Sequence, residues 1–170
     1  TDAYIIKLDI AGNFVWAKQM GGVADNQAYG MAMDASANIY AIGHFTGTAD
    51  FDPGTNTYYL TPVGSQDIFI SKYDSSGNFV WAKGFGGPLT EYGYSIAVDA
   101  KKNVYSTGKF GGTSDFNPGT GIADTFKLTS KGGEDIFISK LDSIGNFVWA
   151  KQIGGTFGNV GTGITVTASG

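Results

Sequence analysis

The chain of 170 residues contains no cysteine, four prolines, one histidine and few charges, Asp, Glu, Lys and Arg together making up 15%. The absence of cysteine excludes a disulfide framework, a thiol nucleophile and thiolate-bound zinc. A lone histidine leaves His-rich metal sites without a second imidazole and makes a Ser-His-Asp triad improbable on composition alone. Eleven basic against fifteen acidic residues give a net charge of −4. No Lys/Arg-rich stretch interrupts this balance, so no field gathers a polyanion and nucleic acid is not expected as a partner. No apolar run approaches the roughly 20 residues that cross a bilayer as a helix. Thr1-Asp2-Ala3-Tyr4 has neither the basic nor the apolar region of a signal peptide, so an exported form is expected to have had its signal removed. What the chain does have is 27 glycines, 42% apolar residues and 14% aromatics, the composition of a β-rich domain with a sizeable core.

The chain repeats itself. Gly-Asn-Phe-Val-Trp-Ala-Lys stands unchanged at 12–18, 77–83 and 145–151, and the tryptophans at 16, 81 and 149 recur at intervals of 65 and 68 residues. Upstream, 2–9, 67–74 and 135–142 align as DAYIIKLD, DIFISKYD and DIFISKLD; downstream, each copy reaches a Gly-Gly pair. Between them lie 31–43 against 96–108, and TADFDPG at 48–54 against TSDFNPG at 113–119. The difference in period falls in 55–57 against 120–125, an insertion of the kind a loop in a stacked repeat tolerates.

Each unit reads as short strands, because runs of about six residues rich in Ile, Val, Phe and Tyr are bounded by Gly, Asn and Asp. Nothing has a helical period. The hairpin signal is Asp-x-x-x-Asn at 9–13, 34–38, 74–78, 99–103 and 142–146, with Asp accepting backbone N–H bonds and Gly or Asn supplying the left-handed residue. A further strand is expected at 57–61 and 125–129, after the Pro-Gly turn. In 67–70 and 78–82 residues of both parities are apolar, so these strands need cover on both faces. Four-stranded sheets stacked around an axis supply that cover and suit a period longer than a solenoid's 20 to 30 residues.

SIAVDAKKNVY at 95–105 followed by DIFISKLDSIGNFVW at 135–149 resembles the SBBP-type bacterial β-propeller repeat over nearly the whole chain. It is more distantly similar to NHL and YVTN repeats. The resemblance implies all-β blades of about four antiparallel strands in an incomplete ring: a half blade at 1–22, blades at 27–87 and 92–155, and the first strand of another at 160–170, where Thr167 replaces Asp34 and Asp99. It also implies a secreted or bacterial cell-surface protein. The chain departs from the family by inserting 47–66 and 111–134 between the second and third strands. Two blades and fragments are expected to belong to a longer array or to a ring built from several chains.

Among chemical candidates, Asp50, Asp52 and Asp115 in DFDPG and DFNPG offer hard oxygen ligands suited to Ca²⁺, although Asp-Pro-Gly and Asn-Pro-Gly are turn formers in their own right. No other cofactor is expected. His44, whose counterpart is Lys109, is expected at an exposed strand end. Trp16, Trp81 and Trp149 are expected to pack between blades rather than to form sugar platforms. Tyr58, Tyr59, Tyr92 and Tyr94, in the variable parts of the repeat, are the candidates for binding contacts. Glu134-Asp135 reads as a solvated strand entry rather than a glycosidase pair. With no GxSxG and no GxxxxGK[ST], no catalysis is expected. The leading expectation is a noncatalytic scaffold for a protein or glycan ligand, and the other is a structural spacer or assembly module joined to further blades in the same or another chain.

Overall fold

A computed structural model describes residues 1–119 and 125–167. All regular structure in these residues is β. Sheet one contains β1 (Ala3–Leu8), β2 (Phe14–Gly22) and two short strands, β5 (Ala49–Asp50) and β6 (Tyr59–Leu60), which come from the following repeat. Sheet two is β3 (Asn26–Met33), β4 (Ile39–Phe45), β7 (Asp67–Tyr73) and β8 (Phe79–Phe85). Sheet three is β9 (Glu91–Val98), β10 (Val104–Asp115), β11 (Lys127–Leu141) and β12 (Phe147–Ile153). Every strand-to-strand pairing within the sheets is antiparallel, and the three sheets stack as propeller-like blades in an incomplete ring.

Sheet two explains why both parities are apolar. Ile39, Ala41 and Phe45 of β4, with Phe69 and Tyr73 of β7, face sheet one and pack with Ala3, Ile5 and Met20. The alternate residues Tyr40, Ile42, Ile68 and Ile70 face sheet three and pack with Ile96, Val104, Phe110 and Phe137. All seven positions of β4 and all seven of β7 are therefore buried. Trp16 and Trp81 pack between blades as expected, whereas Trp149 meets Tyr105 of its own sheet edge-on at 6.2 Å. Trp81 meets Tyr40 edge-on at 6.2 Å and lies 3.3 Å from where a Cβ on Gly145, in the next blade, would stand. Trp16 makes the same contact with Gly77. Beside them, Lys7 Nζ donates to the Ser75 carbonyl at 3.0 Å and Lys72 Nζ to that of Ser143 at 3.2 Å, tying one blade's third strand to the next blade's outer turn.

The five Asp-x-x-x-Asn turns share one hydrogen-bond pattern. In the first, Asp9 Oδ1 accepts from the N–H groups of Ala11 and Asn13, and Asn13 Nδ2 donates to Asp9 Oδ2. The outer turns put glycine at the left-handed position, with φ of 82°, 78° and 85° at Gly12, Gly77 and Gly145. The inner turns differ from expectation, because Ala37 (φ 58°) and Lys102 (φ 65°), not Asn, take that conformation.

The inserted segments are the main departure from a plain four-stranded blade. Each forms a hairpin that reaches back and pairs with the outermost strand of the preceding blade, Asp50 with Gly21 and Ala49 with Gly22, then Asp115 with Gly86. These hairpins are clasps. Phe51 and Phe116, the second residues of DFDPG and DFNPG, are fully buried beneath them. Phe51 meets Phe45 and Phe69, while Phe116 meets Phe85, Phe110 and Phe137. The length difference between the clasps lies mostly at 120–124, outside the described residues. Of the further first strand expected at 160–170, residues 160–167 are described and form no strand. The segment 157–167 crosses sheet three through Asn159 N–H to the Glu134 carbonyl (2.7 Å) and Gly161 N–H to that of Gly108 (3.2 Å).

Candidate functional site

The ends of the blades form two unlike rims. One carries the Asp-x-x-x-Asn turns, built alike in each copy. The other collects the segments in which the copies differ: 23–27 against 88–92, the roots of the clasps, and residues 44 and 109. It is knitted across blades, with Ser65 N–H donating to the Leu89 carbonyl (3.2 Å), Glu91 N–H to that of Gln66 (2.8 Å), and the Ser65 and Thr90 hydroxyls 2.9 Å apart. Leu89 is exposed there and lines a groove of about 520 Å³ with Pro88, Thr90, Gly111, Gly112 and Glu134.

Beside the groove, Tyr29, His44, Tyr92 and Tyr94 form an aromatic cluster across blades two and three. Tyr92 and Tyr94 are parallel, 2° apart in plane and 5.8 Å between centroids, and Tyr29 lies 5.3 Å from Tyr94. Tyr29 stacks on His44 at 5.6 Å, and Tyr92 meets His44 edge-on at 4.7 Å. Tyr29 is exposed, while Tyr92 and Tyr94 are half-buried. Lys109 Nζ sits 4.8 Å over the Tyr92 ring and 2.8 Å from Glu134 Oε1. Burial works against its charge, but Glu134 outweighs that and holds Lys109 above its usual range.

His44 corrects the reading of an exposed strand end, since it is almost completely buried on β4. Its Nε2 lies 4.0 Å from Asp25 Oδ2, and burial pushes its pKa down despite that carboxylate. Its counterpart's identity as lysine hid this, because what covers His44 is Tyr29 of its own blade and Tyr92 of the next. Asp135 is a second correction. Glu134 is half-buried and paired, but Asp135 is fully buried, accepting from Lys131 N–H at 3.0 Å and from the Gln152 amide, so the strand entry is not solvated.

The tyrosine candidates do not converge on one site. Tyr58, exposed at one edge, packs at 4.8 Å on Phe79, as Phe126 does on Phe147 in the next copy, and thereby holds its clasp to the blade; Tyr59 is exposed beside it. The carboxylates of the Ca²⁺ reading shape the clasp turns. Asp50 Oδ1 accepts from Asp52 N–H (3.0 Å) and Tyr58 N–H (2.8 Å), Asp52 Oδ1 from Gly54 N–H (2.8 Å), and Asp115 Oδ1 from Asn117 N–H (3.0 Å) and Phe126 N–H (2.8 Å). Among the described residues, no three His, Asp or Glu side chains gather as a metal site would require.

Sequence reasoning missed Glu91. It is fully buried where blades two and three meet the second clasp, accepting from Ser114 Oγ at 2.8 Å and Gly87 N–H at 3.2 Å. Burial pushes it up to about 7, Ser114 and Gly87 act the other way, and the buried Asp67 carboxyl adds to the rise. At the first junction the same positions hold Asn26 and Ala49, so the Glu–Ser pair replaces an Asn–Ala pair. That paired change was the available signal.

No family model matches the chain. It is 31% identical over 110 residues, 56% of its length, to an uncharacterized WD repeat-containing protein of Acanthamoeba polyphaga mimivirus, and spans 8% of that protein's length. This likeness, together with the three blade-like sheets, is that of a β-propeller-like repeat protein.

Proposed function

We propose that the chain is a noncatalytic propeller scaffold that binds a protein partner on the rim where its non-repeated residues are gathered. The observation carrying this reading is the contrast between the rims. The turn rim repeats one hydrogen-bonded motif, whereas the other presents the Leu89 groove, the Tyr29–Tyr94 cluster and the Lys109–Glu134 pair on a scaffold fixed by two inter-blade cores. An aromatic and apolar centre with charged groups beside it is the make-up of a protein-binding surface. The similarity to a WD repeat-containing protein supports a scaffold rather than an enzyme. The bacterial, secreted or cell-surface setting and the SBBP kind of repeat come from the sequence resemblance and are proposed on that ground.

The test is a photo-crosslinking residue at Leu89 or Tyr94, compared with one at Ser76 or Ile144 on the turn rim, exposed to extract of the source cells. Adducts to a discrete protein from the first pair alone are expected. Adducts from the turn rim alone, or capture of a glycan and no protein, overturn the reading.

A second reading, assembly with further blades, is favoured by the free face of sheet one. Tyr4, Ile6 and Leu8 are 65%, 49% and 54% exposed, whereas Phe69, Ser71 and Tyr73, their counterparts in sheet two, are completely buried. Light scattering on the intact natural polypeptide, with and without Ile6→Asp, tests it. Association lost in the variant is expected, and an unaltered mass speaks against it.

A further inference from the structure

Three glycines close the Gly-Gly pairs that end the outermost strands: Gly22, Gly87 and Gly155. None has the left-handed backbone that favours glycine. For two of them the reason for glycine is space. A Cβ on Gly22 would stand 2.4 Å from the Thr48 carbonyl oxygen, and a Cβ on Gly87 would stand 2.4 Å from that of Thr113. Both oxygens belong to clasps. Gly155 has nothing within 4 Å of its Cβ position. Nothing among the described residues requires glycine there.

The neighbouring position agrees. Met20 and Phe85, two residues before Gly22 and Gly87, are 2% and 4% exposed, with Phe85 5.9 Å from the clasp residue Phe116. Ile153, which stands in the same place before Gly155, is 55% exposed. β12 is the edge of its sheet, with β11 as its one strand partner among the described residues.

We infer that the end of β12, with Ile153, Gly154 and Gly155, is a docking site for a clasp hairpin of Asp-Phe-Asx-Pro-Gly chemistry borne by a further unit of this repeat. The acceptor recognises the hairpin through backbone pairing along the Gly-Gly pair, for which the absence of a side chain at 155 is necessary, and through burial of the hairpin's phenylalanine close to Ile153. The two internal junctions show both parts of this recognition. The inference rests on the assembly reading and deepens it by naming the partner's chemistry; it does not depend on what the rim binds.

The probe is a peptide of residues 47–62 closed end to end, a closure the native hairpin permits because the Thr48 and Thr61 hydroxyls are 2.9 Å apart. It is titrated into the isotopically labelled chain while the amide signals of 153–155 are followed. Saturable shifts confined to that end of β12 are expected at up to millimolar peptide, because the ring partners of Phe51, Phe45 and Phe69, belong to its own blade and are absent from the peptide. Gly155→Val should weaken binding at least tenfold without moving the melting temperature, since its side chain meets open space, and Phe51→Ala in the peptide should do the same. No saturable shift, or equal binding to Gly155→Val, overturns the inference. If the peptide fails while Ile6→Asp still abolishes association, the clasp site is wrong and the assembly reading stands.

Discussion

Single positions behave according to what the next blade brings to them, and this decides where reading residues one at a time succeeds. The turn aspartates were legible because their partners lie two and four residues away. His44 was not, because its cover includes a tyrosine 48 positions later in the chain. Ala37 is the clearest local misfit: exposed, at φ 58°, in a conformation that costs an L-residue roughly 1–2 kcal/mol. Ala37→Gly removes that strain and gives back part of it as unfolded-state entropy, so a net gain of about 0.5–1 kcal/mol is expected in chemical denaturation. Glu91 yields a pH dependence. Below its unfolded value of about 4.5 both states are protonated and its stability contribution is complete. As the pH rises toward about 7 the unfolded chain releases the proton while the folded chain holds it, so stability falls, by on the order of 3 kcal/mol, and levels off above 7. Asp67, also raised by burial, pulls the same way, while His44, lowered by burial, pulls the opposite way by less than the large Glu91 shift. Melting temperature should therefore fall between pH 5 and 7, and Glu91→Gln should flatten most of that slope.

Among elements, the four main strands of a blade and the clasp strand expected at 57–61 and 125–129 were legible, while the pairing of the clasps with the preceding blade was not. Runs such as DIFISKYD announce strands by composition and, through their double parity, a need for two covers. The two-residue strands β5 and β6 carry no period, and β2, the strand with which β5 pairs across the junction, lies in another repeat, so no local pattern signals that pairing. Asp-Phe-Asp-Pro-Gly drew attention to its acids, yet the residue with the largest energetic role is the phenylalanine between them. Phe51 is fully buried between blades one and two, and its carbonyl accepts from the Tyr73 hydroxyl at 3.0 Å. Phe51→Ala should cost roughly 3–5 kcal/mol by urea denaturation, as a large cavity in a close-packed core does. Phe116→Ala should cost a similar amount. Tyr59→Ala, at an exposed site on the same clasp, should stay within about 0.5 kcal/mol. Equal effects at Phe51 and Tyr59 would show that the clasp contributes little to holding the blades together.

For the whole molecule, the blade is the repeating unit of sequence, but the junction between blades is the unit of stability. Both apolar clusters lie between sheets, and sheet two contributes to each. Solenoid-like arrays derive stability from such nearest-neighbour interfaces, so the element covered on both sides opens last. β4 and β7 meet that condition at every position, while β1 alternates buried residues with exposed Tyr4, Ile6 and Leu8. Native-state hydrogen exchange should accordingly rank the amides of Ile39–Phe45 and Asp67–Tyr73 slowest, by roughly two orders of magnitude over those of Ala3–Leu8. Binding of a further blade to the free face should slow β1 and leave β4 and β7 almost unchanged, because their junctions are already filled. A uniform exchange profile across the three sheets would mean that the array opens as one unit, and that the face of sheet one, though exposed, is as secure as the interior.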